Sequence, residues 1–383
     1  MMSDLDGVLQ DHVGPGGAPG AVGLVARGDR VEVAAVGSVD VEGSAPMARD
    51  TIFRLASITK PIVAAAVMML VDEGRIGLED PVAPWLPEVA SPCVVRTPDS
   101  AVDDVVPANR AITVEDLLSF RAGYGFSADF SRPAVALLFS EVHPAPPFPQ
   151  ANPAPEVWMA KLAGVPLLHQ PGEAWLYNTC SDLQGVLVAR VTGRPLPEFL
   201  AERLFEPLGM VDTAFEVPPA KLSRFASYYQ PDAAGSPVLA DAPDGQWSRP
   251  PAFPSGGGGL VGTVDDWYAF ARMLLAEGAA GGRRLLSEGA VRRMTTDQLT
   301  RDQRVAGDLF LEGQGWGYGG SVDVDPVNPW IVPGRYGWVG GTGTTAHLTP
   351  ATGTVALMFT QLGMASPTPP EIMRDFWRYA AGA

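Results

Sequence analysis

The sequence has 383 residues, a formal net charge of −16 and an isoelectric point near 4.6, and 46% of its residues are apolar. This composition is typical of a globular protein with a large core, built as one large domain or two. The acidic charge argues against nucleic-acid and anionic-membrane partners. Cys93 and Cys180 make no disulfide framework, and no metal or cofactor motif is present. No apolar run could span a membrane and the N-terminus lacks a signal pattern, so we expect a cytoplasmic protein.

The first part of the chain predicts a hairpin and then a buried helix. Short β-type runs at 21–26 and 30–37 flank Gly28-Asp29, which is a hairpin signal. A helix is predicted from Ser57 to about Gly74, because residues 62–70 are continuously apolar. Shorter helices are predicted at 113–120, 156–164, 182–192 and 196–204, with long loops at 144–155 and 231–254.

The last third of the chain returns to strands. Thr263 is predicted to cap an amphipathic helix, strands follow at 315–322, 334–339, 344–349 and 354–360, and a helix is predicted at 370–381. We therefore predict an α/β (α+β) fold with an antiparallel sheet flanked by helices. Its sheet domain would comprise 1–75 and 255–383, with a mostly helical insertion at 76–254 and the site in the cleft between them.

The most informative motif is Ser57-x-x-Lys60. Residues three apart share one helix face, so the amine can reach the hydroxyl. A serine becomes a good nucleophile when a neighbouring base takes its proton, and a lysine can do so when its pKa is lowered. Taken alone, the pair is more often a solvated lysine after a capping serine.

Two further segments contribute candidate residues. Tyr177 precedes the helix predicted at 182–192, and its phenol is a plausible base or proton shuttle if an ammonium lowers its pKa. The segment 336–344 contains Trp338-Val339-Gly340-Gly341, whose glycines allow a ligand to approach the backbone N–H groups. Taken alone, Tyr177 could simply be a half-buried tyrosine that packs in the core, and the segment 336–344 could simply be a hairpin turn.

Together these motifs resemble the serine β-lactamase and penicillin-binding-protein superfamily, whose signature is S-x-x-K, Tyr-x-Asn or Ser-x-Asn, and Lys-Thr-Gly. Their order and spacing agree along most of the chain. The resemblance implies a β-lactamase/transpeptidase-like fold, Ser57 as nucleophile, and Lys60 and Tyr177 sharing its proton. The N–H groups of Ser57 and Gly341 would hold the oxyanion, and Trp338 would line the pocket beside Gly340.

The sequence departs from the signature at two positions. Thr179 stands where an asparagine would complete Tyr-x-Asn, and Trp338 stands where the lysine of Lys-Thr-Gly is expected. An indole cannot bind a carboxylate as an ammonium does. Trp-x-Gly resembles the class C β-lactamase-like carboxylesterases (family VIII esterases). Arg335 could supply the missing charge, which keeps a peptidase interpretation open.

The resemblance therefore implies a serine hydrolase that acts on small carboxylic esters with short acyl chains through an acyl-enzyme. A β-lactamase or D-amino-acid peptidase, and an acyltransferase with the same acyl-enzyme, are the alternatives. No Gly-x-Ser-x-Gly occurs, so the α/β-hydrolase elbow is absent. The histidines sit in no recognisable triad context, and His347 is expected to be structural. The sequence leaves the oligomeric state open.

Overall fold

A computed structural model describes residues 5–143 and 148–382. The strands are β1 (Gly20–Arg27), β2 (Arg30–Gly37), β3 (Phe53–Arg54), β4 (Cys93–Val95), β5 (Val105–Pro107), β6 (Tyr228–Pro231), β7 (Pro237–Asp241), β8 (Val261–Gly262), β9 (Ala279–Ala280), β10 (Arg283–Arg284), β11 (Gly315–Trp316), β12 (Ser321–Val322), β13 (Tyr336–Gly340), β14 (Thr344–Thr349) and β15 (Thr354–Thr360). The helices are α1 (Leu5–Gln10), α2 (Lys60–Asp72), α3 (Val114–Leu118), α4 (Pro133–Val142), α5 (Pro155–Leu162), α6 (Thr179–Thr192), α7 (Leu196–Leu200), α8 (Glu206–Leu208), α9 (Val264–Leu275), α10 (Glu288–Met294), α11 (Arg301–Ala306), α12 (Asp308–Leu311) and α13 (Glu371–Ala381).

A seven-stranded antiparallel sheet forms the centre, in the order β11-β12-β13-β14-β15-β1-β2. Side chains alternate between its faces, as the period of a strand requires. Ala21 and Val25 of β1 pack with the residues of α1 and α13, whereas Val22 and Leu24 join the larger core on the opposite side. Helices therefore cover both faces, and the predicted fold class is confirmed.

The helix α2 is buried on all sides in the larger core, which explains its unbroken apolar run. It packs against α6 and α10. None of the helices in the described ranges combines the length and the apolar character needed to cross a membrane. The division into a sheet domain and a helical insertion remains a prediction.

The helical segment begins near Ser57, as predicted, but its first turn is not α-helical. A 3₁₀ turn at Ala56–Thr59 comes first, and the α-helix starts at Lys60. Pro61 has no N–H to donate to the Ser57 carbonyl in the α-helical pattern. The Lys60 N–H makes that bond instead, in the 3₁₀ pattern.

Two segments that were predicted as a loop and as a single strand contain antiparallel hairpins instead. The loop expected at 231–254 contains β7, which pairs with β6, and its end is held because Asp241 forms a buried ion pair with Arg54. The single strand expected at 315–322 is split into β11 and β12. Gly319 turns the chain between them with φ of 80°, a conformation that glycine adopts readily.

Helical boundaries differ elsewhere in the inserted segment. The helix α4 was not predicted, although proline is common in the first turn of a helix and Pro133 occupies that position. The helix expected at 196–204 ends at Leu200 and continues as a π-helical turn at Ala201–Phe205. Of the loop predicted at 144–155, residues 144–147 lie outside the described residues, and Pro149–Ala151 form a 3₁₀ turn before α5.

Candidate active site

Ser57 and Lys60 meet at the entry to α2. Side chains three residues apart in a 3₁₀ turn are eclipsed, and Lys60 Nζ lies 3.0 Å from Ser57 Oγ. The preceding residue, Ala56, has φ of 47° in the left-handed region. Residues other than glycine are strained there, and such strain is found mostly at functional sites. We infer that the strained backbone at Ala56 helps to fix the position of the Ser57 hydroxyl.

Lys60 is fully buried, with 0% of its surface exposed. Its Nζ also contacts Asn178 Oδ1, at 2.8 Å, and the carbonyl oxygen of Gly257. Burial lowers the pKa of Lys60 to about 7, although the negative charge of Asp182 acts in the opposite direction. A large fraction of the amine is therefore neutral near pH 7 and can accept the proton of Ser57.

Tyr177 completes the group around Ser57. Its hydroxyl makes a hydrogen bond with Ser57, and its ring stacks on Phe310 with centroids 4.7 Å apart. Burial raises the pKa of Tyr177 to about 12, although hydrogen bonds with Ser57 and Trp338 act to lower it. The condition under which Tyr177 would act as a base, a pKa lowered by a nearby ammonium, is therefore not met. The phenol stays protonated at neutral pH and is a hydrogen-bond donor.

Trp338 contacts the tyrosine and not the open cavity. Its Nε1 lies 2.7 Å from Tyr177 Oη, and only 3% of the residue is exposed. Its ring packs edge-on against Trp316 with centroids 4.8 Å apart. The expectation that Trp338 lines the pocket at Ser57 needs correction, because β13 places the indole behind Tyr177.

Gly340 and Gly341 have different roles. A Cβ at Gly340 would lie 2.2 Å from Thr344 Oγ1 and 2.4 Å from the Leu55 carbonyl oxygen, so this glycine permits close packing. A Cβ at Gly341 would meet nothing within 4 Å, and this residue borders the cavity. Within the described ranges, the N–H groups of Gly341 and Ser57 have no protein acceptor. Both are free to bind an oxyanion.

Asn178, the middle residue of the second motif, places an amide next to Lys60. Asn178 adopts φ of 80° and presents its amide oxygen to Lys60. Thr179 is buried, and its hydroxyl lies 3.1 Å from Nε2 of His143. His143 borders the cavity, and burial lowers its pKa to about 4, so the imidazole is neutral at pH 7. The asparagine was visible in the sequence, but the place of His143 depends on tertiary packing.

Asp182 was also missed as a site residue. One of its oxygens accepts hydrogen bonds from Ser255 Oγ at 2.6 Å and from the Gly257 N–H at 2.9 Å. These bonds fix the glycine-rich segment so that the Gly257 carbonyl reaches Lys60. A Cβ at Gly256 would lie 2.2 Å from the Ser181 carbonyl, so close packing explains this glycine.

The cavity at Ser57 has a volume of about 180 Å³. Most of its wall is aromatic, small or amide-bearing, with Asp182 as a charged member. It is bordered by Ala56, Ser57, Phe126, His143, Phe148, Pro149, Asn152, Tyr177, Asn178, Asp182, Ser255, Gly257, Gly258 and Gly341. Among these residues there is no lysine or arginine.

Arg335 does not supply a charge to this cavity. Its Nε lies 2.8 Å from Asp323 Oδ2 in a buried ion pair, and its guanidinium stacks over the Trp377 ring at 5.2 Å. It borders cavities next to α13 instead. The suggestion that Arg335 anchors a substrate carboxylate therefore needs correction, because the guanidinium already has a buried partner.

The sheet with its flanking helices, and the serine and lysine at the entry to a buried helix, define a serine hydrolase of the β-lactamase type. The Beta-lactamase family model matches residues 5–372, and the chain belongs to this family.

Several relatives are similar over most of the chain. Protein Rv1367c of Mycobacterium tuberculosis is 38% identical over 351 residues, which cover 89% of this chain and 85% of that protein. Esterase EstB of Burkholderia gladioli is 31% identical over 332 residues, covering 82% and 78%. The structure titled "EstCE1, a hydrolase with promiscuous acyltransferase activity" is 26% identical with a TM-score of 0.80, covering 98% and 97%. The resemblance to this superfamily and its esterases is confirmed.

Proposed function

We propose that the protein is a carboxylesterase that hydrolyses neutral esters with short acyl chains through an acyl-enzyme on Ser57. The observation that carries the proposal is the buried amine of Lys60 beside the Ser57 hydroxyl, at a cavity whose bordering residues include no lysine or arginine. The similarity to Esterase EstB supports the same reaction class.

The protons of Lys60 support its role as the base. A neutral amine has two N–H groups and one lone pair. The two N–H groups match the oxygens of Asn178 and Gly257, which can only accept. The lone pair is left for the Ser57 proton. Ser57 Oγ then bonds to the ester carbon, its proton passes to Lys60, and the N–H groups of Ser57 and Gly341 bind the oxyanion.

Tyr177 is the proposed donor to the leaving group. When the C–O bond breaks, the leaving alkoxide takes the Tyr177 proton and departs as an alcohol, and the proton that Lys60 took from Ser57 passes to Tyr177. Water then attacks the acyl carbon and its proton passes to the neutral Lys60 amine. The bond between the acyl carbon and Ser57 Oγ breaks, and Lys60 gives the proton to Ser57 Oγ, 3.0 Å away. The enzyme ends each cycle with the protons it had at the start.

The cavity supports a neutral, small substrate. A penicillin or a peptide C-terminus brings a carboxylate, whose desolvation without a cationic partner is costly. Asp182 at the same cavity adds repulsion. The volume of about 180 Å³ is below the 300–1,000 Å³ common for drug-sized ligands, which favours short acyl chains.

The test compares kcat/KM for p-nitrophenyl acetate, butyrate and octanoate with that for nitrocefin and a D-Ala-D-Ala peptide. We expect acetate or butyrate to be the best substrate and octanoate to be poorer. Higher kcat/KM for nitrocefin than for p-nitrophenyl butyrate would refute the esterase assignment.

Transfer of the acyl group to an alcohol is the second candidate, since the similar EstCE1 is titled a hydrolase with acyltransferase activity. Phe126 and Phe148 give the cavity apolar walls that suit an organic acceptor. Adding a primary alcohol to the butyrate assay and measuring the ratio of new ester to butyric acid separates transfer from hydrolysis.

A further inference from the structure

The indole of Trp338 fixes the direction of one hydrogen bond, to the tyrosine that borders the cavity with Ser57. An indole N–H can donate but cannot accept. At 2.7 Å, Trp338 Nε1 therefore donates to Tyr177 Oη. The single phenolic proton is then directed elsewhere, and the hydrogen-bond partner next to it is Ser57.

Tyr177 and Ser57 border the same cavity, and Lys60 Nζ lies 3.0 Å from Ser57 Oγ. Trp338 does not border this cavity, so its contact with the group around Ser57 is made through Tyr177.

The indole also affects the step in which the leaving group departs. As Tyr177 gives up its proton, negative charge develops on Oη, and a hydrogen bond to a charged group is stronger than one to a neutral group. Tyr177 is held for this bond because its ring stacks on Phe310 and lies 5.6 Å from the Trp338 ring.

From this geometry we propose that Trp338 is a positioning residue that acts through Tyr177, stabilising the phenol oxygen while Tyr177 protonates the leaving alcohol. This inference rests on the proposed function and adds a dependence on the leaving group. Alkyl esters release a basic alkoxide that needs the Tyr177 proton, whereas p-nitrophenolate leaves without one. Loss of the indole N–H is therefore expected to affect alkyl esters more.

The chain contains a matched control in Trp316. Its indole is fully buried and packs against Trp338, yet its Nε1 has no hydrogen-bond partner among the described residues. Trp338→Phe and Trp316→Phe both remove a buried indole N–H, but only the first removes a bond to Tyr177. A loss caused by packing alone would be similar in both variants.

The experiment measures kcat and KM for ethyl butyrate and p-nitrophenyl butyrate. We expect Trp338→Phe to lower kcat on ethyl butyrate by roughly 10- to 100-fold, the range of a hydrogen bond to a developing charge. The loss on p-nitrophenyl butyrate should be several-fold smaller, with KM little changed. Trp316→Phe should leave both rates within about twofold, and a thermal melt of each variant checks that it is folded.

A double-mutant cycle with Tyr177→Phe tests whether Trp338 acts through the tyrosine. In that background, Trp338→Phe should cause no further loss on p-nitrophenyl butyrate. Equal losses on the two esters, equal effects of the two tryptophan variants, or additive losses in the cycle would each overturn the inference. The proposed function fails separately, if the wild-type protein hydrolyses neither ester or if Ser57→Ala keeps the activity.

Discussion

Replacement of Asp182 by Asn tests the electrostatic control of Lys60. The pKa of the amine falls from 10.5 to about 7 because burial outweighs the attraction of the Asp182 charge. Asparagine removes that charge, while its amide oxygen can still accept the bonds from Ser255 and Gly257. An opposite charge at close range is worth at least about one pKa unit. We therefore expect the pKa of Lys60 in Asp182→Asn to fall to about 6 or below.

The sign and size of the effect on rate follow from this shift. Only the neutral amine is active, so kcat/KM rises with pH through the pKa of Lys60. At pH 6 about one tenth of the wild-type lysines would be neutral, against about half in Asp182→Asn. Relative to its own plateau, the variant should be about fivefold more active at pH 6.

The assay is the pH dependence of kcat/KM for p-nitrophenyl butyrate from pH 5 to 9, corrected for spontaneous hydrolysis. Asp104→Asn is the control, because it removes the same charge from an exposed ion pair with Arg96. Its acidic limb should coincide with that of the wild type. If the rise of kcat/KM with pH in Asp182→Asn stays at the wild-type pH or moves to higher pH, the assignment of this rise to Lys60 is refuted.

Three further predictions concern the base, the glycines and the core. Lys60→Arg should lower kcat by at least about 10²-fold, since a guanidinium does not deprotonate. Lys161→Arg, at an exposed ion pair, is the control and should leave kcat unchanged in steady-state kinetics. Gly340→Ala should be destabilised by about 1–3 kcal/mol through overpacking, whereas Gly341→Ala should melt like the wild type. Arg54→Met should lose about 3–5 kcal/mol in urea unfolding because it leaves a carboxylate buried without its partner.

The local patterns of the sequence predict much of the sheet and the central pair of the site. Gly28-Asp29 marks the hairpin of β1 and β2, and the apolar run after Lys60 marks α2. The hairpin of β6 and β7 was missed because Asp241, which holds its end, has its ion-pair partner, Arg54, 187 residues away in sequence. Its polar and Pro/Gly-rich composition alone is typical of a loop.

The electrostatics of the site depend on burial, which the motifs do not encode. The Tyr177 motif left open whether an ammonium lowers the pKa of the phenol, and burial among aromatic rings raises it instead. Trp338 was visible as a substitution in the third motif, whereas its bond to Tyr177 joins residues 161 apart. Likewise, Arg335 is close to the motif in sequence, but it lies just before β13 and its side chain binds Asp323.

The identity of the nucleophile is tested most directly by mass spectrometry of the protein after reaction with a fluorophosphonate. We predict one adduct per chain, on the peptide that contains Ser57, and none in Ser57→Ala. The label should form more slowly in Lys60→Arg, where the base is lost. Labelling of a different residue, or equal labelling of Ser57→Ala, would contradict the assignment of Ser57 as the nucleophile.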